Sequence, residues 1–249
     1  MKIDRIKRNT DKDYKIDLEE LKSKLKESCL VILTNRHNPS GKLMGYKKLK
    51  QISEIIAQND SYLLVDEVYS PYNINDDSNN TAFGGPTAIN FENTIVTNSL
   101  TKFFGMGGLK IGWMGGDKGI IDKCDKLQTH FSPVAEPSKN IAKRVLEQKT
   151  KIQKEANELL EKNFSLLKNL VIKRNDLEGR VYKNNTFAFL KHKTVDGSEL
   201  AKKTLKNNAI IVPGEFFGDE KRFRISIAEK TEKAQSSINI FEDILDNLN

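Results

Sequence analysis

Asn93 to Gly116 reads NTIVTNSLTKFFGMGGLKIGWMGG. An apolar, β-branched run at Asn93–Ser99 has the length of a strand, and a second such run, Lys110–Gly116, closes the segment. Gly105, Gly107 and Gly108 punctuate the turn between them. Lys102 stands in that turn in apolar company. A lysine amine is costly to bury as a cation, so a lysine held there calls for a chemical reason.

Outward from this segment, the pattern is that of an α/β sheet. Cys29–Thr34, CLVILT, is a continuous apolar run, predicted to be a parallel strand buried on both faces. Tyr62–Tyr69, YLLVDEVY, is predicted to be a second buried strand that ends in carboxylates. Helical spacing precedes the first strand over Ile16–Glu27, with Ile16, Leu21 and Leu25 on one side. It returns over Tyr46–Gln58, with Leu49, Ile52 and Ile56 in register. NPSG at Asn38–Gly41 is a turn, and Asn73–Phe91 reads as a long surface loop. After the Pro-containing SPVAEP, helical spacing runs unbroken from Ser138 to Leu170. The remainder alternates short strands (Thr186–Lys191, Ala209–Pro213, Arg222–Ala228) with helices (Ser198–Asn207, Glu232–Leu248). The expected domains are a sheet domain over 1–135, a connecting helix over 136–163 and an α+β domain over 164–249.

The 249 residues are enough for a proper core, and 30% charged against 37% hydrophobic residues mark a folded chain. The net charge of +7 is spread as lysines among glutamates, as in LEELKSKLKE at 18–27, with no basic stripe interleaved with aromatics. Nucleic-acid binding is therefore not expected. Cys29 and Cys124 are too few and too distant for a disulfide scaffold, and the three histidines form no metal-ligand pattern. No apolar run approaches membrane-spanning length, and the first residues lack the apolar core of a signal peptide, so a cytoplasmic location is expected.

Strand ends of an α/β sheet are where ligands bind. Asn38 follows the first strand, Asp66 and Tyr69 close the second, and Ser99 to Lys102 follow the third. Taken in order, NPSG at Asn38, DEVY at Asp66–Tyr69, SLTK at Ser99–Lys102, GMGGLKIGW at Gly105–Trp113 and FRISIA at Phe223–Ala228 resemble the class I/II aminotransferases. These are pyridoxal-phosphate enzymes of fold type I, similar to aspartate aminotransferase. The resemblance implies a mixed, mostly parallel sheet in a large domain, followed by a small α+β domain.

It also implies roles. Lys102 resembles the Schiff-base lysine, a primary amine on a long stem that can also carry a proton. Asp66 would face the pyridine nitrogen and favour the protonated ring. Asn38 and Tyr69 would hydrogen-bond the phenolic oxygen, and Ser99 and Thr101, with Lys110, would meet the phosphate. Arg224, with Asn38, would hold the substrate α-carboxylate in a fork. The implied reaction moves an amino group between an amino acid, aspartate or aromatic, and a 2-oxo acid. Related lyases share these motifs.

The sequence departs from the family in places. Lys110 stands where many relatives carry arginine, and Arg36 where they often carry proline. Relatives also begin with a region, roughly a third of the chain, that holds a phosphate-binding loop, a ring-stacking aromatic and much of the dimer interface. The resemblance begins after it. A homodimer or a partner chain supplying that region is therefore expected, and a truncated, non-catalytic module is the alternative.

Overall fold

The computed structural model describes residues 2–8, 10, 12–26, 28–69, 81–82, 85–128, 130 and 133–248. The chain forms two compact units, Met1–His37 with Lys42–Gln153, and Asn38–Gly41 with Lys154–Asn249.

The first unit opens with helix α1, Leu18–Lys24, shorter than its spacing predicts. Asp17 starts it by accepting the Glu19 and Glu20 amides. Strand β1 (Leu30–Thr34), helix α2 (Tyr46–Ala57) and strand β2 (Tyr62–Asp66) follow. Two-residue strands β3 (Thr81–Ala82) and β4 (Gly85–Pro86) pair antiparallel. They lie within the predicted loop Asn73–Phe91, part of which falls outside the described residues. Strands β5 (Thr94–Ser99) and β6 (Gly112–Gly116) and helix α3 (Lys118–Gln128) come next.

The sheet order is β1-β2-β5-β6. β1, β2 and β5 run parallel, and β6 is antiparallel to β5. The C-terminal ends of the parallel strands, at Thr34, Asp66 and Ser99, therefore share one edge of the sheet. One face packs on α2: Leu49, Ile52 and Ile56 meet Leu63, Val65 and Val96 in a common core, as the helical spacing predicts.

β1 corrects the expectation of burial on both faces. Val31 and Leu33 pack on that core, but Leu30 and Ile32 are 54% and 64% exposed. β1 is an edge strand, and its opposite face, shared with the 40% exposed Tyr62, is open among the described residues. β2 ends earlier than predicted, at Asp66, where Oδ1 accepts the Val68 amide at 3.1 Å just past the last ladder bond, from the Glu67 amide to the Thr97 carbonyl. Helix α3 was not legible in the sequence; none of its residues is buried, so it has little apolar face to read.

The long predicted helix is two, α4 (Glu136–Glu147) and α5 (Lys149–Lys173), with Gln148 between them. No proline or glycine marks the break. The second unit continues with β7 (Leu177–Arg180), β8 (Phe187–His192), α6 (Gly197–Lys206), β9 (Val212–Pro213), β10 (Arg222–Ser226) and α7 (Thr231–Asp246). β7 was also not foreseen, since only Leu177 of its residues is buried. Its antiparallel sheet, ordered β7-β8-β10-β9, packs on Leu167 and Leu170 of α5, Leu200 of α6 and Phe241 of α7. Among the described residues, no helix is long and apolar enough to cross a membrane. Nor, among them, do three or more His, Cys, Asp or Glu group as metal ligands would.

Candidate functional site

In the first unit, three of the residues singled out from the sequence meet at the C-terminal edge of the parallel strands. Asp66 is the last residue of β2, and Tyr69 follows three positions on, buried. Lys102 lies in the turn after β5, with its amine 6.0 Å from the centre of the Tyr69 ring. Burial pushes the Asp66 carboxyl above its ordinary range; the Val68 amide and the Lys102 charge act the other way. Amine and carboxylate therefore sense one another.

The turn is fixed by its own bonds. Ser99 Oγ accepts the Thr101 amide at 3.2 Å, and Asn98 Oδ1 accepts the Ser99 amide at 2.7 Å. Leu100 N–H donates to the Ile111 carbonyl at 3.0 Å, and Met106 N–H to the Leu100 carbonyl at 2.9 Å. Gly105, at φ +68°, has the left-handed conformation that glycine adopts without strain. Phe103 and Phe104 are buried edge to face, while Thr101 and Lys102 are exposed. This corrects the reading of Lys102 as a lysine enclosed by apolar groups: the phenylalanines fill the interior and the amine projects from it. Lys110 is exposed, at φ +54°, one residue before the Ile111 carbonyl that anchors the turn.

In the second unit, Arg224 of β10 donates from Nη1 to Asn38 Oδ1 at 2.7 Å. The guanidinium lies between aromatic rings, 5.4 Å from the centre of Phe187 and 5.2 Å from that of Phe217. Two residues far apart in sequence, both predicted to serve the carboxylate, are thus brought together. With Oδ1 turned to Arg224, the Asn38 amide presents Nδ2 as its donor.

Three further residues escaped the sequence reading or were undervalued by it. Glu67, beside Asp66, is 3% exposed; its Oε1 accepts the Ala88 amide at 2.9 Å, and it also bonds the Thr87 hydroxyl. A second carboxylate within a run predicted to be a buried strand was the available signal. Asn185 donates to the Phe187 carbonyl and abuts Gly41, where a Cβ would come within 1.6 Å of its Nδ2. Arg36, read as a minor departure, is 2% exposed, and burial lowers its pKa to about 10.

Comparison with known proteins assigns this arrangement to a family. The family model for aminotransferase class I and II matches residues 1–237, and the chain belongs to that family, whose cofactor is pyridoxal phosphate. The bifunctional aspartate aminotransferase and glutamate/aspartate-prephenate aminotransferase of Petunia hybrida is 28% identical over 247 residues, 91% of this chain and 51% of that protein. The aromatic-amino-acid aminotransferase 2 of Thermococcus litoralis is 25% identical over 249 residues, 94% of this chain and 62% of that one. Among solved structures, a PLP-dependent aminotransferase from Streptococcus suis matches with a TM-score of 0.87 at 20% identity, over 98% of this chain and 64% of that one. The fold is thus fold type I, with the mixed, mostly parallel sheet expected. The chain spans between half and two thirds of the length of these relatives.

The donor set fits the cofactor. A projecting amine, a carboxylate within its field and a phenol meet at one sheet edge, matching an aldehyde, a ring nitrogen and a ring oxygen.

Proposed function

We propose that this chain carries the lysine and carboxylate-clamp portion of an aminotransferase that moves an amino group between an amino acid, aspartate or aromatic, and a 2-oxo acid. The single observation that carries this reading is the meeting of Lys102, Asp66 and Tyr69 at the strand edge. Pyridoxal phosphate, when bound, supplies an aldehyde that takes up the amino group and a ring that draws electrons from the substrate Cα. Lys102 would hold the aldehyde carbon and, once freed, carry a proton at its Nζ. Asp66 would keep the ring nitrogen protonated. Tyr69 Oη and Asn38 Nδ2 would donate to the ring oxygen, and Ser99, Thr101 and Lys110 would hold the phosphate. Arg224 would fork onto the α-carboxylate and align the Cα–H bond. Cytoplasmic residence belongs to the same reading.

The test is spectroscopic. Pyridoxal phosphate added to the purified protein gives an absorption band that Lys102→Ala lacks, and L-aspartate or an aromatic amino acid bleaches it. A band that persists with every amino donor rejects transamination. A second reading is a truncated or split, non-catalytic module. Absence of any lysine-dependent band selects it. A homodimer or a partner chain belongs to the same proposal, and the open face bearing Leu30 and Ile32 supports it.

A further inference from the structure

The sequence places two carboxylates side by side in DEVY, and strand geometry sends them to opposite sides of the sheet. Asp66 goes to the candidate site. Glu67 goes to the interior, where it is 3% exposed and has no part in the chemistry above. Its backbone still belongs to the sheet, since its amide donates to the Thr97 carbonyl at 2.8 Å. Its side chain reaches a segment twenty residues downstream: Oε1 accepts the Ala88 amide at 2.9 Å, and the carboxyl bonds the Thr87 hydroxyl. Thr87 and Ala88 are themselves buried, and Thr87 Oγ1 accepts the Ile89 amide at 3.2 Å. One carboxyl therefore ties the return of the chain to the end of the strand that bears Asp66 and Tyr69.

We propose that Glu67 is a positioning residue for Asp66 and Tyr69: it clamps Thr87–Ala88 to the end of β2. This rests, for the cofactor, on the function proposed above; the clamp itself rests on the geometry alone. A buried carboxylate with two donors is held more rigidly than an exposed one, and removing it leaves a buried amide and hydroxyl unpaired.

Charge is the second half of the device. Burial, above all, raises the Glu67 carboxyl to about 7; the two hydrogen bonds pull it down, and the neighbouring Asp66 charge pushes it up. Asp66 is the charged group whose field reaches it. Near neutral pH the clamp is thus divided between ionised and neutral forms.

Glu67→Gln and Glu67→Ala test this, with Lys102→Ala as the cofactor control. Glutamine keeps the acceptor for Ala88 and removes the titration. In the full-length protein, hydrogen exchange at Ala88 should accelerate at least tenfold in Glu67→Ala and stay within about threefold of wild type in Glu67→Gln. The wild-type melting temperature should fall between pH 5 and pH 8 relative to that of Glu67→Gln. With pyridoxal phosphate, the midpoint pH of the lysine-dependent band should drop in Glu67→Gln, because losing a nearby negative charge disfavours the protonated form. A melting-temperature difference that does not change with pH, or Ala88 exchange unaltered by Glu67→Ala, overturns the proposal. An unmoved band midpoint overturns the link to Asp66. Absence of the band, with the other two responses intact, overturns the cofactor reading and leaves the clamp standing.

Discussion

Arg224 illustrates why a residue type is fixed at a site. Its guanidinium sits between the rings of Phe187 and Phe217 and donates to Asn38 Oδ1. A planar, delocalised cation can stack and donate at once; an ammonium can do only the second. Arg224→Lys should therefore weaken binding of an α-carboxylate about tenfold, roughly 1.4 kcal/mol. Titration with a dicarboxylate inhibitor measures it, and unchanged affinity would remove Arg224 from the clamp. Gly41 is constrained in a different way. At φ +77°, with Asn185 Nδ2 1.6 Å from where a Cβ would lie, it has no room for a side chain. Gly41→Ala should cost about 1–3 kcal/mol, read from urea unfolding.

Protonation at this scale acts with two signs. Glu67, raised from 4.5 to about 7 in the folded chain, binds its proton more tightly there. Its contribution is present below pH 4.5 and is lost as pH rises through 7. His37 is lowered from 6.5 to about 3, mainly by burial and then by the Arg8 charge. Its contribution is present above pH 6.5 and is lost as pH falls toward 3. The slopes oppose one another between 4.5 and 6.5. Glu67→Gln should unmask a loss of melting temperature beginning below pH 6.5, and adding His37→Gln should flatten it again.

At the scale of elements, the sequence was most legible where one rule governed one segment. The spacing of Leu49, Ile52 and Ile56 predicted α2 and its buried face. The runs Tyr62–Tyr69 and Asn93–Ser99 predicted strands whose ends share an edge, though the first stops at Asp66. Elements with little buried apolar surface, α3 and β7, left no such mark. The break at Gln148 has no local cause in the sequence. Long-range polar links were equally silent. Asn163 of α5 is fully buried, and its Nδ2 donates to the Ile227 and Glu229 carbonyls at 2.8 and 2.7 Å, joining the helix to the segment between β10 and α7. Asn163→Ala should cost about 1–2 kcal/mol in urea unfolding, because the buried Ile227 carbonyl and the Glu229 carbonyl lose their common donor. Asn163→Asp should be worse, since a carboxylate cannot donate.

For the whole molecule, the open face of the first unit's sheet is the main feature. Leu30 and Ile32 are aliphatic, in a row with Tyr62, and largely exposed. Exposed strand edges with apolar side chains associate. Ile32→Lys should leave folding stability within about 0.5 kcal/mol and reduce self-association in sedimentation velocity. If the partner expected above covers this face, the same change also abolishes its binding. No change in association would mean that the face is not used.

The sequence by itself determined the strand and helix faces that pack and the order of the chemical groups along the chain, because side-chain period and residue chemistry are local properties. It also marked Lys102, Asp66, Tyr69, Asn38 and Arg224. Only the tertiary structure decided that Lys102 projects while the phenylalanines beside it are buried, that Arg224 takes Asn38 as its partner across 186 positions, and that Glu67 reaches Ala88. Those outcomes depend on how the backbone brings distant segments together. Burial and hydrogen bonding, which set the charge of each group, exist only once it has done so.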